Sequence, residues 1–280
     1  MINFNGTIQN ENNILTPENR GYAYGDALFE TLKVSHGKIL FWEDHYFRLM
    51  ASMRILRMEI PMSFTMEFLE SEILKTLEAC NLKNSTCRVK LLVHRVEGGL
   101  YLPEHNNVNY IITAKVLKSD FYMLNDDTYE VELFKDYYVA PGLLSTLKTN
   151  NKVINVVGSI FANENGFNNC LLLNTNKKVV EALNGNIFLV KGNKIKTPEL
   201  SNGCLKGVMR TQIIDIIKSL PEFKIEEAEI SPFELQKADE IFITNVIVGI
   251  QPITKYRKKN FNNEVAKSIL QKLNVKVRLG

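Results

Sequence analysis

Strand-length and helix-length apolar patterns alternate through both halves of this chain, which limits it to a mixed fold whose sheets and helices share each core. Residues 27–34 alternate partly and read as a strand, followed by a His36-Gly37 turn and a second strand at 39–41. Over 43–57, Tyr46, Leu49, Met50, Met53 and Leu56 recur at helical spacing, and a second helix is expected over 63–80 with Ser63 as its N-cap. Strands at 87–93 and 109–116 flank a loop, 97–104, whose length asks for a functional explanation. Turn signals stand at Asn5-Gly6 and across 10–13. In the second half, 129–138, 171–173, 187–191, 194–197 and 240–245 read as strands, the middle pair as a hairpin across Gly192-Asn193. Helices are expected at 155–163, 207–220 and 263–273, the second closed by Pro221. The pattern is α+β in two domains, 1–115 and 122–280, with a linker at 116–121.

Composition narrows the setting. Of the 280 residues 45% are hydrophobic and 23% charged, so the chain can bury a large core without staples and is not globally disordered. A net charge of +3 is too small to argue for nucleic acid. Met1-Ile2-Asn3-Phe4-Asn5 lacks the basic start and apolar run of a secretory signal, and no stretch has the length of a membrane span. Cys80, Cys87, Cys170 and Cys204 show no C-x-x-C spacing, which favours a reduced, cytoplasmic setting.

Most chemical motifs are missing. There is no H-E-x-x-H, the four histidines are scattered, and neither G-x-x-x-x-G-K-[ST] nor G-x-G-x-x-G occurs, so no metal site is expected. Ser145-Thr146-Leu147-Lys148 matches S-x-x-K, which puts a serine nucleophile one helical turn from a lysine, and serine acyl transfer stands as a weak rival.

A longer set of segments says more. Arg20-Gly21-Tyr22-Ala23-Tyr24-Gly25-Asp26 leads into Ala27-Leu28-Phe29-Glu30-Thr31, followed by His45-Tyr46-Phe47-Arg48-Leu49. Downstream come Leu147-Lys148-Thr149-Asn150-Asn151, Val180-Glu181-Ala182-Leu183-Asn184-Gly185-Asn186, Gly207-Val208-Met209-Arg210, and Ile241-Phe242-Ile243-Thr244-Asn245. In this order they resemble the class IV aminotransferases, the fold-type IV pyridoxal-phosphate enzymes that include branched-chain and D-amino-acid aminotransferases and aminodeoxychorismate lyase.

The resemblance implies a small α/β N-terminal domain, a larger C-terminal domain with a β-barrel-like core, and pyridoxal 5′-phosphate as cofactor. Lys148 is then the catalytic residue, forming the Schiff base and moving the proton. Glu181 keeps the pyridine nitrogen protonated. Gly207, Val208 and Met209 open the clearest helix of the chain, and its orphan amides suit a phosphate with or without the resemblance. Arg48 adds a cation, Thr244 and Asn245 add donors, and Asn186 reads more as a turn residue. Arg20 and Asp26 are expected to hold the opening turn together.

Tyr24, Thr31, Arg95, Leu100 and Tyr101 are the candidates for contact with substrate. Thr31 and the Asn151-Lys152-Val153 segment lean toward the lyase, which would yield 4-aminobenzoate and pyruvate from 4-amino-4-deoxychorismate. Glu30 and the apolar Leu100-Tyr101-Leu102 lean toward transamination of a less anionic side chain. The reading is therefore an aminotransferase acting on an amino acid and a 2-oxo acid, with the lyase as alternative. The resemblance also implies a homodimer, with residues 95–106 closing the neighbour's site.

Overall fold

The computed structural model describes residues 1–10, 16–125 and 127–279. Of the turn expected at 10–13, residues 11–13 lie outside them. Contacts divide the chain into two compact units, residues 1–120 with 148–151, and residues 121–147 with 152–280.

The first unit contains β1 (Ile2–Phe4), β2 (Thr7–Gln9), α1 (Arg20–Ala23), β3 (Ala27–Ser35), β4 (Lys38–Ile39), α2 (Trp42–Ile55), α3 (Met66–Ala79), β5 (Cys87–Arg95) and β6 (Val108–Val116). Its six strands form one sheet in the order β2-β1-β6-β5-β3-β4. Alternation on β3 sends Leu28, Glu30, Leu32 and Val34 to one face, with Val89, Leu91 and Val93 beside them on β5. These are buried, as are Leu49 and Met53 of α2 and Leu69, Ile73 and Leu77 of α3. Glu30 is the exception to the apolar rule on that face, and it matters below.

Local physics shifts several boundaries. The N-cap of α3 is Thr65, whose side chain accepts from the Phe68 amide at 3.1 Å, rather than Ser63. Phe64 is buried and meets Tyr110 edge-on at 5.5 Å, and Pro61 accepts from the Phe64 amide, so the chain stays in a turn two residues longer than its pattern implies. The expected strand at 39–41 stops at Ile39, because Phe41 takes a left-handed φ of 57° and turns the chain into α2. Asn5 and Gly6, both at positive φ, close the β1–β2 hairpin.

The second unit contains β7 (Glu130–Val139), α4 (Val153–Glu164), β8 (Asn169–Asn174), β9 (Val179–Ala182), β10 (Asn186–Lys191), β11 (Lys194–Thr197), α5 (Val208–Lys218), β12 (Lys224–Glu227), α6 (Pro232–Leu235), β13 (Glu240–Asn245), β14 (Gly249–Ile253), β15 (Lys255–Tyr256), β16 (Lys259–Asn260) and α7 (Glu264–Leu279). Two five-stranded sheets run β12-β11-β10-β13-β14 and β16-β15-β7-β8-β9. One core takes side chains from both, among them Val131, Leu171, Ile187, Leu189, Ile241 and Ile253, giving the expected barrel-like arrangement. Pro252 is tolerated in β14 because that strand lies at a sheet edge. The terminal helix runs six residues past the expected 273, its last turn carrying Lys276 and Arg278 where the helix dipole favours cations.

Candidate active site

In the first unit, Lys148 is fixed through its backbone. The Phe29 amide donates to the Lys148 carbonyl at 2.9 Å, and the Asn150 amide donates to Ala27 at 3.0 Å, pairing residues 148–151 with the start of β3. The Lys148 ammonium lies 4.5 Å from the centroid of the Phe29 ring, a cation–π contact that needs no anion. Lys90 of β5 lies 4.8 Å from the same ring, its ammonium pushed below the usual lysine range by burial and then by Arg88. Nothing in the sequence pattern had singled out Lys90. Thr31 shares the Phe29 side of β3, is buried, and pairs with Lys90.

Gly25 lies against the end of this segment. Its φ is +66°, and a Cβ there would run into the Asn151 side chain, whose amide donates to the Gly25 carbonyl at 3.4 Å. Gly25→Ala should therefore displace the Asn151 side chain and cost about 1–3 kcal/mol, the usual scale of a strained backbone position. Thermal melting checks it, and an unchanged Tm would contradict it.

Behind β3 lies a buried charged cluster. Arg48 of α2 donates to Glu30 twice, Nε to Oε1 at 2.8 Å and a terminal nitrogen to Oε2 at 2.5 Å, while His45 Nδ1 sits 2.7 Å from Oε2. Burial alone would raise the Glu30 carboxyl, but Arg48 and His45 outweigh it and hold it down to about 2. Burial lowers His45, so its ring is neutral, and facing an ionised carboxylate its Nδ1 must carry the proton. The contact is a hydrogen bond to a carboxylate rather than an ion pair.

A second cluster holds the long loop. Arg20 donates to Asp26 at 3.0 Å and to the carbonyls of Gly98, Gly99 and Leu100 at 3.1, 3.3 and 2.6 Å. Arg95, expected at the substrate, spends its guanidinium on Asp26, Leu56, Arg57 and Asn106 instead. Asp26 thus joins two arginines that are both under a tenth exposed. The loop presents Leu100, Tyr101 and Leu102 outward, and Tyr24 meets Tyr101 at 5.8 Å between ring centroids.

In the second unit the organising segment is Leu205–Gly207. The Leu205 amide donates to Glu181 Oε2 at 2.9 Å, and the Leu205 carbonyl accepts from Asn186 Nδ2 at 2.9 Å. Glu181 sits on β9, and two residues after Leu205 the chain enters α5. Gly207 offers no side-chain cap, which leaves the amides of the first turn, Val208 and Met209 included, without an acceptor from the helix. A Cβ on Gly207 would collide with Asn186 Oδ1, so any other residue there would displace the Asn186 side chain. Asn186, the first residue of β10, pairs with Thr244 on β13, and the Thr244 hydroxyl is buried with no hydrogen-bond partner. The Asn245 side chain is spent on its own turn, accepting from Ile247 and Val248 and donating to Asn184.

These residues fit a phosphorylated pyridine. A carboxylate for a ring nitrogen, an uncapped helix N-terminus and an orphaned hydroxyl lie around one short segment. Other chemistries do not fit. Ser145 lies in a 3-10 turn, Leu143–Thr146, that ends before Lys148, with Leu147 extended, so the helical S-x-x-K spacing is not realised. Its hydroxyl donates to Gly142 at 2.7 Å. Burial pushes the Cys170 and Cys204 thiols up to about 11 and about 12, which leaves them inert. Among the described residues no group of His, Cys, Asp and Glu could hold a metal ion.

A family model described as amino-transferase class IV matches residues 27–256. A putative branched-chain-amino-acid aminotransferase of Methanocaldococcus jannaschii is 28% identical over 92% of this chain and 88% of its own length. A D-alanine aminotransferase of Listeria monocytogenes is 29% identical over 89% of this chain and 85% of its own. A crystal structure of 4-amino-4-deoxychorismate lyase from Pseudomonas aeruginosa superposes with a TM-score of 0.84 at 25% identity, covering 99% of each chain.

Proposed function

Because the chain belongs to the class IV amino-transferase family, whose cofactor is pyridoxal 5′-phosphate, we propose that it transfers an amino group between an amino acid and a 2-oxo acid. The observation that carries this reading is the Leu205–Gly207 segment, with Glu181 at one end and the uncapped start of α5 at the other. When bound, the cofactor supplies an electron-accepting ring that eases removal of the proton from the carbon bearing the amino group. Lys148 would hold the cofactor through its amine and, once the substrate's own amine has displaced it, would be free to move the proton. Glu181 would hold the proton on the ring nitrogen. The amides of Val208 and Met209 and the hydroxyl of Thr244 would bind the phosphate, and Arg48 would supply a cation to it.

Transamination is favoured over the lyase reaction by the loop. Leu100, Tyr101 and Leu102 are 76%, 89% and 85% exposed, and a patch of that kind suits an apolar side chain or a protein partner better than a dianion. We extend the proposal to a homodimer in which this loop is covered by a second copy. A cytoplasmic setting accords with the free cysteines at 80, 87, 170 and 204. No helix among the described residues is long and apolar enough to cross a membrane.

The test incubates the purified protein with a panel of L- and D-amino acids plus 2-oxoglutarate or pyruvate, and separately with 4-amino-4-deoxychorismate. New amino acid should form in the first set, and Thr31→Gly should change that rate by less than about tenfold, the scale of one pocket contact. Release of 4-aminobenzoate and pyruvate without amino exchange, abolished by Thr31→Gly, would make the lyase the right reading.

A further inference from the structure

The Glu30–His45 pair has no part in the steps above, yet both side chains are almost wholly buried, at 2% and 0% exposure. A carboxylate is costly inside a protein unless its oxygens are fully used, and here they are. Two parallel bonds from Arg48 fix the plane of the guanidinium, and the bond from His45 Nδ1 fixes the carboxylate that does so. His45 and Arg48 stand three residues apart on α2, so one face of the helix presents both to β3. His45 Nε2 is buried without a partner, so only the Nδ1 side of the ring is engaged. Resting on the reading that Arg48 meets the cofactor's phosphate, we propose that Glu30 and His45 are positioning residues that hold Arg48 in its phosphate-binding orientation.

Electrostatics alone predicts the opposite sign. Taking away the negative charge of Glu30 should tighten the binding of a dianion nearby, whereas losing the orientation of Arg48 should loosen it. The full chain, freed of cofactor, is titrated with pyridoxal 5′-phosphate and with pyridoxal, which lacks the phosphate. The ratio of the two affinities isolates the phosphate contribution.

Glu30→Gln should lower that ratio by about tenfold or more, the scale of a charge-assisted contact. His45→Leu should lower it by a smaller factor, and His45→Asn, whose amide can replace Nδ1, should restore it. Arg48→Ala added to Glu30→Gln should lower it no further, since both act through one guanidinium. Equal weakening toward both ligands, or a raised ratio in Glu30→Gln, would overturn the inference. An Arg48→Ala variant with a normal ratio would overturn the role of Arg48 in phosphate binding and the inference with it, whereas a fall in Arg48→Ala beside an unchanged Glu30→Gln would overturn the inference alone. Circular dichroism confirms that each variant is folded. Should Glu30→Gln not fold, the His45→Leu and His45→Asn pair decides the matter by the same ratio.

Discussion

Lys148→Ala should lower amino transfer by at least about 10³-fold, within the range that a positioned proton-transfer group contributes, while leaving the fold nearly intact. The two effects separate because the lysine is held by its backbone. The bonds from Phe29 to the Lys148 carbonyl and from Asn150 to Ala27 do not involve the side chain, so residues 148–151 keep their place on β3. Among what the substitution removes is the cation–π contact with Phe29, worth about 0.5–1 kcal/mol at a partly exposed site. Initial rates and a thermal melt measured on the same preparation check both halves. A variant that keeps more than a tenth of the wild-type rate would show that another group moves the proton.

Stability should fall steeply in acid, and Glu30 should be a main cause. Its carboxyl titrates at about 2 in the folded chain against 4.5 for the ordinary value, because Arg48 and His45 overcome the effect of burial. A group with a depressed folded pKa contributes stability that is fully present above the unfolded value and is lost as pH falls through the folded one. Between pH 4.5 and about 2 the loss from this carboxyl is about 3 kcal/mol. His45 acts in the same direction, since burial holds it below 6.5 and the unfolded chain takes up its proton first. Urea unfolding at a series of pH values should therefore show a smaller acid loss for Glu30→Gln than for the wild type. Parallel curves for the two proteins would refute this assignment.

Regular elements were legible where one signal dominated locally. The stripe from Val208 to Leu220 announced α5, and Gly192-Asn193 announced the hairpin of β10 and β11. Short strands such as β9, β14 and β15 were not legible, since two to five residues carry too little periodicity. The start of α3 was misplaced because burial of Phe64 keeps the chain in a turn past Ser63 and leaves the cap to Thr65.

Clusters built from distant segments were harder still. Glu30, His45 and Arg48 each appear in the pattern, but only the packing of α2 on β3 reveals that they meet. One signal was present, a carboxylate in register with Leu28, Leu32 and Val34 on a buried strand face. Arg95 shows the reverse: it stood among the candidate substrate contacts, while its donors are taken by Asp26 and three nearby partners. The Leu205 amide that binds Glu181 could not have been read from side chains at all.

The central claim is that this chain carries pyridoxal phosphate on Lys148, and one measurement tests it directly. The purified protein, loaded with the cofactor, is treated with borohydride, digested, and the peptides are weighed by mass spectrometry. The account predicts a single phosphopyridoxyl group, located on the peptide that contains Lys148 and absent from a sample first incubated with an amino donor. A modification on any other lysine, or no modification at saturating cofactor, would contradict it.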